Sequence, residues 1–262
     1  GATGFLGQYV LQKIVEKEYK VKCFVRKTSD LTLINKLGVE YEYGDLDDYT
    51  SICKALEGTD TIINIASLGF GHAPNIIEAC EEMGANRGIF ISTTGIFTKL
   101  NPDSKEVRIK AEEIIKNSKL DYTIIRPTMI YGTPEDRNMY KLIRFIKKFK
   151  IIPILGSGDF LQQPVYVKDL AEAVILAYEN NIAKNNIYNI SGKEPLTYNE
   201  VVTVTANHLN SWHLKIHIPQ KLSYELLKLY ERLVKNPKLK SEQVLRLNEN
   251  KDFPHEKASE EL

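Results

Sequence analysis

Cysteine is scarce in this chain: Cys23, Cys53 and Cys80 are widely separated and form no CxxC pair. That argues against a disulfide framework or a thiolate zinc site, and it suits a reducing compartment with all three as small core residues. Net charge is nearly absent, at +1 from 35 basic and 34 acidic residues, so no global field attracts nucleic acid or acidic membranes. No apolar run approaches the length that spans a bilayer. The five histidines show no metal-ligand spacing, so no metal site is expected, and the single tryptophan, Trp212, is expected in the core. The chain is expected in the cytoplasm, with a small molecule rather than a nucleic acid as its partner.

What is present is a regular alternation. Leu6, Val10, Leu11, Ile14 and Val15 recur with helical spacing, and "YKVKCFV" follows as a buried strand. "VEYEYGD", "TIINIA", "RGIFIST" and "DYTIIRP" read as strands, separated by the helices "YTSICKALEG", "NIIEACEEMGA" and "KEVRIKAEEIIKNS". Strands joined by helices run parallel, because a parallel return needs a long crossover. The fold class is therefore α/β, a doubly wound parallel sheet. From about Thr133 the rhythm loosens into mixed pieces. We expect a nucleotide-binding domain over 1–180, with an excursion at 133–160, and a smaller, mostly helical substrate lobe over 181–262. In "KLIRFIKKFK", five cations decorate an apolar helix. It reads either as a solvated face or as a surface that attracts phosphate or a membrane.

The chain begins "GATGFLG", with Gly1, Gly4 and Gly7 immediately ahead of an amphipathic helix. In a dinucleotide-binding turn one glycine makes the bend, a second admits the pyrophosphate to the backbone and a third lets the helix pack closely. Helix N-terminal amides then face the phosphates. Such a turn hangs from a parallel strand, so a strand is expected ahead of Gly1.

The ordered set "GATGFLG", "YGDLDD", "INIAS", "FISTTGIF", "KAEEII", "IIRPTMIYG", "QPVYVKDLAEAV" and "YNISGKEPLTYNEV" resembles the short-chain dehydrogenase/reductase superfamily. The resemblance is to its extended and atypical branch, related to nucleotide-sugar epimerases and dehydratases, and it implies a Rossmann-type domain. The ending "NENKDFPHEKASEEL" also suggests a C-terminus cut short. By this resemblance Gly1, Thr3, Gly4, Phe5, Leu6 and Gly7 line the pyrophosphate. Asp45 and Leu46 flank the adenine, Ala66 and Ser67 adjoin the nicotinamide ribose, and Pro127 closes over the nicotinamide. Read alone, "GDLDD" is equally a helix N-cap with an acidic first turn. Arg26 and Lys27 stand where an acid would accept from the ribose of NAD, which favours NADP(H) over NAD(H).

The resemblance also implies a Ser or Thr that holds the carbonyl oxygen, a Tyr that moves its proton and a Lys four residues later. Thr93 fits the first role, with Ser92 and Thr94 beside it, and Lys110 fits the last. The tyrosine position is Glu106, and no tyrosine lies between Phe97 and Asp121. Three readings stay open: Tyr131 reaches the site, Glu106 serves as acid or base, or no redox chemistry occurs. Glu106 and Lys110 also read as solvated helix residues. Arg126 fits either a buried carboxylate partner or a substrate ligand. Thr94, Arg137, Asn138 and Gln163 are candidate substrate contacts, the arginine suiting a diphosphate. Asp169 is expected to N-cap the helix that follows it.

The resemblance thus implies an NAD(P)-dependent epimerase, dehydratase or oxidoreductase, with a nucleotide sugar as substrate and a homodimer as its usual assembly. The alternative is an inactive NADP(H)-binding sensor or structural subunit, like NmrA-like regulators or the complex I accessory subunit. An atypical reductase with another substrate and proton donor is a third reading.

Overall fold

The computed structural model describes residues 1–100, 102–136 and 138–262. The expected alternation is present. Helix α1 (Phe5–Glu16) leads to β1 (Lys22–Val25), α2 (Thr32–Leu37), β2 (Glu40–Tyr43), α3 (Tyr49–Leu56), β3 (Thr61–Asn64), α4 (Ala73–Met83), β4 (Arg87–Ile91), α5 (Asp103–Lys116) and β5 (Asp121–Pro127). Two short strands, β6 (Ile130–Tyr131) and later β9 (Val165–Tyr166), bracket α6 (Met139–Lys148), β7 (Ile151–Leu155) and β8 (Leu161–Gln162). The chain then forms α7 (Val167–Glu179), β10 (Asn186–Ile190), β11 (Leu196–Thr197), α8 (Tyr198–His208), β12 (Leu214–Ile218), α9 (Gln220–Leu233), α10 (Ser241–Leu247) and α11 (Glu256–Glu261).

Strands β10, β5, β4 and β3 form a parallel sheet in that order, and β1 pairs in parallel with β2 as a separate ribbon. Side chains alternate across the sheet. Ile89 and Ile91 of β4 and Ile125 of β5 pack with Leu6 and Val10 of α1 and with Leu170 and Val174 of α7. Phe90 and Ile124 point the other way, against α3, α4 and α5 through Ile52, Ile76 and Ile115. Each fully buried isoleucine contributes roughly 1.5–3 kcal/mol, so helices on both faces fix the strand register. Leu11 of α1 turns to a third cluster with Cys23, Val25 and Ile34, which seats the β1–β2 ribbon.

The structure revises several expectations. β10 joins the main sheet beside β5, so residues beyond 180 complete the nucleotide domain as well as the lobe. The lobe carries the helices α8, α9 and α10 together with short strands. Its core is a parallel pair of β7 and β12, with Ile152 and Ile154 packed on Ile146 of α6 and on Val202 and Ala206 of α8. Trp212 is 70% exposed, just ahead of β12 in the same alternation as the exposed Leu214 and Ile216. Cys23 and Cys80 are buried but Cys53 only half so. Asp169 does not cap α7: Tyr166 holds the N-cap position, and Asp169 lies inside the first turn. Asp48 does cap α3, accepting from the Ser51 amide.

Candidate functional site

Every expected cofactor residue except Lys110 lies at a carboxyl end of a parallel strand or in the opening turn. In that turn the Gly4 amide donates to Gly1 O at 3.0 Å. Gly4 is the N-cap of α1, no side chain caps it and no acid occupies the first turn. Among the described residues the helix's leading amides therefore remain free for an anion. A Cβ on Gly7 would lie 2.0 Å from Gly1 O, and one on Gly1 would lie 2.6 Å from the Ile65 carbonyl carbon. Gly1 thus lets the turn press onto the chain just past β3, and Gly7 lets α1 press onto the turn. A Cβ on Gly4 would meet only Gly1 O, at 3.2 Å, and is otherwise open. The cradle fits a pyrophosphate: bare backbone, a helix N-terminus and no competing carboxylate. Thr3 and Phe5 are half-buried beside it, and Leu6 is buried.

Arg26 and Lys27 are exposed at the end of β1. The Gly44 amide donates to Val25 O at 3.0 Å, which brings Asp45 alongside them. Asp45 accepts from the Asp47 amide at 3.1 Å, and Leu46 O accepts from Asn75 at 3.2 Å. At the end of β3, Asn64 donates to Ala66 O and Ser67 accepts from the Gly69 amide, opening a short turn. Pro127 O, at the end of β5, accepts from the Thr94 hydroxyl at 3.2 Å.

The three hydroxyls after β4 have separate fates. Ser92 donates to Glu112 at 2.5 Å and Thr94 donates to Pro127, so both are committed internally. Thr93 accepts from the Gly95 amide at 3.0 Å, and its own proton has no acceptor among the described residues. Glu106 lies exposed in the first turn of α5, and Lys110 is exposed one turn later. Tyr131 packs against Tyr166 with ring centroids 5.6 Å apart. Burial, the Asp169 charge and Tyr166 raise its phenol pKa.

Of the substrate candidates, Arg137 lies outside the described residues. Asn138 is exposed at the N-cap of α6, its amide donating to Asp136 at 3.0 Å. Gln163 is buried, with its amide on Gly192 O at 2.8 Å and its carbonyl on the Phe253 amide at 2.9 Å. It joins the C-terminal segment to the sheet edge. Arg126 takes the buried-partner role, donating from Nε to both Glu112 oxygens at 3.0 and 3.2 Å and from Nη2 to Oε2. Its guanidinium also lies 5.1 Å from the Phe97 ring centroid.

Sequence reasoning missed a group of cations at this edge. Glu249 binds the Thr98 hydroxyl and the Lys99 amide, which seats the segment after α10 over the loop that leaves β4. There Lys251 donates to Gln162 at 3.3 Å, and burial pushes its ammonium down to about 8. The buried Gln162 Nε2 has no partner among the described residues. The nearby Arg246 pairs with Glu242 at 2.7 Å. Burial and the Arg246 charge together lower the Arg108 pKa. Arg108 also lies against Gly69, where an added Cβ would meet its guanidinium at 3.0 Å.

Comparisons with known proteins agree with this geometry. A family described as NAD(P)H-binding matches residues 1–153, and the 3-beta hydroxysteroid dehydrogenase/isomerase family matches residues 102–221. Subunit 9 of the NADH dehydrogenase [ubiquinone] 1 alpha subcomplex, mitochondrial, of Arabidopsis thaliana is 29% identical over 84% of this chain and 59% of its own length. A 4-epimerase of Escherichia coli O157:H7, named for N-acetyl-alpha-D-glucosaminyl-diphospho-ditrans,octacis-undecaprenol, is 25% identical over 85% of this chain and 75% of its own. The chain thus spans somewhat more than half of the first relative and three quarters of the second. The crystal structure of gox2253 superposes with a TM-score of 0.78 at 19% identity, covering 100% of this chain and 90% of that one, which shows the shared fold. The chain belongs to the NAD(P)H-binding family.

Proposed function

We propose that the chain binds NADP(H) and works as an epimerase, dehydratase or oxidoreductase on a sugar linked to a diphosphate. The observation that carries the substrate class is the cation group of Lys251, Arg246 and Arg108 beside the unpartnered Gln162 amide, at the sheet edge that holds Thr93. A diphosphate would give Gln162 Nε2 the acceptor it lacks and add a charged acceptor for Lys251, Arg246 and Arg108, whose own bonds go to Gln162 and Arg246 O, to Glu242 and to Ser104. The E. coli relative, named as a diphosphate-linked sugar epimerase, supports the same class.

A nicotinamide held by the opening glycine turn would supply reversible hydride exchange at a carbinol carbon. The chain's own task is to hold the carbinol oxygen and move its proton. Thr93 has a free O–H for that oxygen. Tyr131, kept protonated by burial and by Asp169, is suited to return a proton to the oxygen when the ketone is reduced. A second reading is a cofactor-holding subunit without turnover. Glu106, exposed where the superfamily carries its tyrosine, favours it, as does the mitochondrial relative.

Calorimetric titration of NADP+, NADPH, NAD+ and NADH, followed by UDP-, dTDP- and GDP-sugars, separates the two. Sugar binding that depends on bound cofactor supports the enzyme, whereas tight cofactor binding with no sugar response supports the subunit. Replacing Arg26→Asp together with Lys27→Asp should cost NADPH roughly 10-fold or more in affinity and leave NADH nearly unchanged. Equal losses for both cofactors would remove the NADP assignment.

A further inference from the structure

Helix α9 carries a row of leucines that is left uncovered among the described residues. Leu222, Leu226, Leu229 and Leu233 are 51%, 53%, 53% and 76% exposed. They follow one another at intervals of four, three and four residues. That spacing puts all four on one narrow face, in the a and d positions of a heptad. The other side of the helix anchors it. Ser223 is buried and donates to Ile218 O at 3.2 Å, and Leu227 is half-buried. Glu231 accepts from the Ser241 amide at 3.0 Å and from its hydroxyl at 2.8 Å, which ties α10 to that side. The lobe thus holds α9 as a helix with its leucine row turned away, so a partner need not order it.

An a/d row is completed by another helix. Intervals of four, three and four read the same from either end, so this row is its own complement. About a two-fold axis between Leu226 and Leu229, Leu222 of one copy meets Leu233 of the other, and Leu226 meets Leu229. Charge selects that antiparallel direction. Glu225 and Arg232 are exposed, lie seven residues apart on the same flank of the row, and make no ion pair among the described residues. Antiparallel pairing sets Glu225 of each copy across from Arg232 of the other, twice over. Parallel pairing sets Glu225 across from Tyr230 and forms neither pair. Lys221 and Lys228 lie a row further from the leucines, with the Lys228 ammonium 5.5 Å from the Tyr224 ring centroid.

We infer that α9 joins α9 of a second copy in an antiparallel two-helix seam, which makes the chain a two-fold dimer through its smaller lobe. The seam uses no residue of the nucleotide cradle, and the inference does not depend on the redox reading. Two helices of 14 residues meet over an area at the low end for specific interfaces. Dimerisation is therefore expected with a Kd of roughly 1–100 μM.

Sedimentation equilibrium of the full chain across that range should show monomer and dimer in exchange. Leu226→Lys with Leu229→Lys, on exposed positions, should leave only monomer, with circular dichroism and cofactor titration unchanged. Glu225→Arg and Arg232→Glu should each weaken dimerisation by roughly 10-fold, because each sets like charges across the seam. An equimolar mixture of these two single variants should recover the wild-type association, since each then supplies the charge the other lacks. The inference fails if the leucine variant dimerises as well as the wild type, which would move the interface to another surface, or if the mixture associates no better than its components. It also fails if the wild type stays monomeric throughout; flotation with phosphatidylcholine vesicles, lost on leucine substitution, would then make the occupant a lipid surface.

Discussion

Replacing Glu112→Ala should destabilise the protein by about 3–4 kcal/mol, because it strands a cation under the site. The Glu112 side chain is 4% exposed and that of Arg126 17%. Arg126 grips both carboxylate oxygens, and Ser92 donates to one of them. An exposed ion pair contributes at most about 1 kcal/mol, whereas breaking a buried one costs roughly 3–5 because the survivor keeps its charge without a partner. The residual exposure of Arg126 places the loss near the lower end of that range, and the lost Ser92 hydrogen bond adds to it.

In urea the unfolding midpoint should fall by about 1 M or more, given slopes near the upper end of 1–3 kcal/mol/M for a chain of this size. Two further variants isolate the pair. Arg126→Met should cost a similar amount, but Glu112→Leu combined with Arg126→Met should recover much of the loss, since neither then leaves a buried charge. A loss below about 1 kcal/mol for Glu112→Ala, or simple additivity in the double variant, would refute the reasoning.

Gly7→Ala should abolish measurable NADPH and NADH binding in calorimetry, since a Cβ 2.0 Å from Gly1 O must push α1 off the opening turn. Retained affinity would mean that the turn is not the pyrophosphate cradle. Lys251 makes a pH prediction: its ammonium, at about 8 in the fold and near 10.5 when unfolded, should lose its proton as pH rises through 8. Affinity for a diphosphate sugar should therefore fall between about pH 7 and 9, and Lys251→Met should flatten that profile. Between pH 8 and 10.5 the unfolded lysine binds more protons than the folded one, so this residue's share of stability rises with pH across that window. A wild-type affinity that stays level from pH 7 to 9 would exclude Lys251 from the site.

Much of the nucleotide domain was legible locally. The period-3.6 stripe of α1 is set by Leu6, Val10 and Leu11, which are buried, and the strand ends named for the cofactor are carboxyl ends of parallel strands. Hydrophobic period and glycine spacing act over a few residues, so they can be read without the fold. Glu112 was readable in principle, because it occupies an apolar-stripe position of α5 between Ala111 and Ile115, where an acid demands a partner. β12 was missed although "WHLKIHI" alternates with period two. Its apolar residues Leu214 and Ile216 are exposed, and between them lie Lys215 and His217, held by Thr203 and Asn199. That pattern inverts the usual strand signal.

The sequence by itself determined the α/β class, the glycine turn and the absence of a tyrosine at the Glu106 position. These depend on side-chain period, on backbone room and on which residue stands where. Only the tertiary structure decided that Arg126 serves Glu112, that Thr93 keeps a free hydroxyl, that Lys251 joins Gln162 over the loop after β4, and that Trp212 faces outward. Each of these is a contact, or the lack of one, between segments far apart in the chain. Pairing and burial at such distances follow from how strands order in the sheet and which helix covers them, which no local pattern encodes.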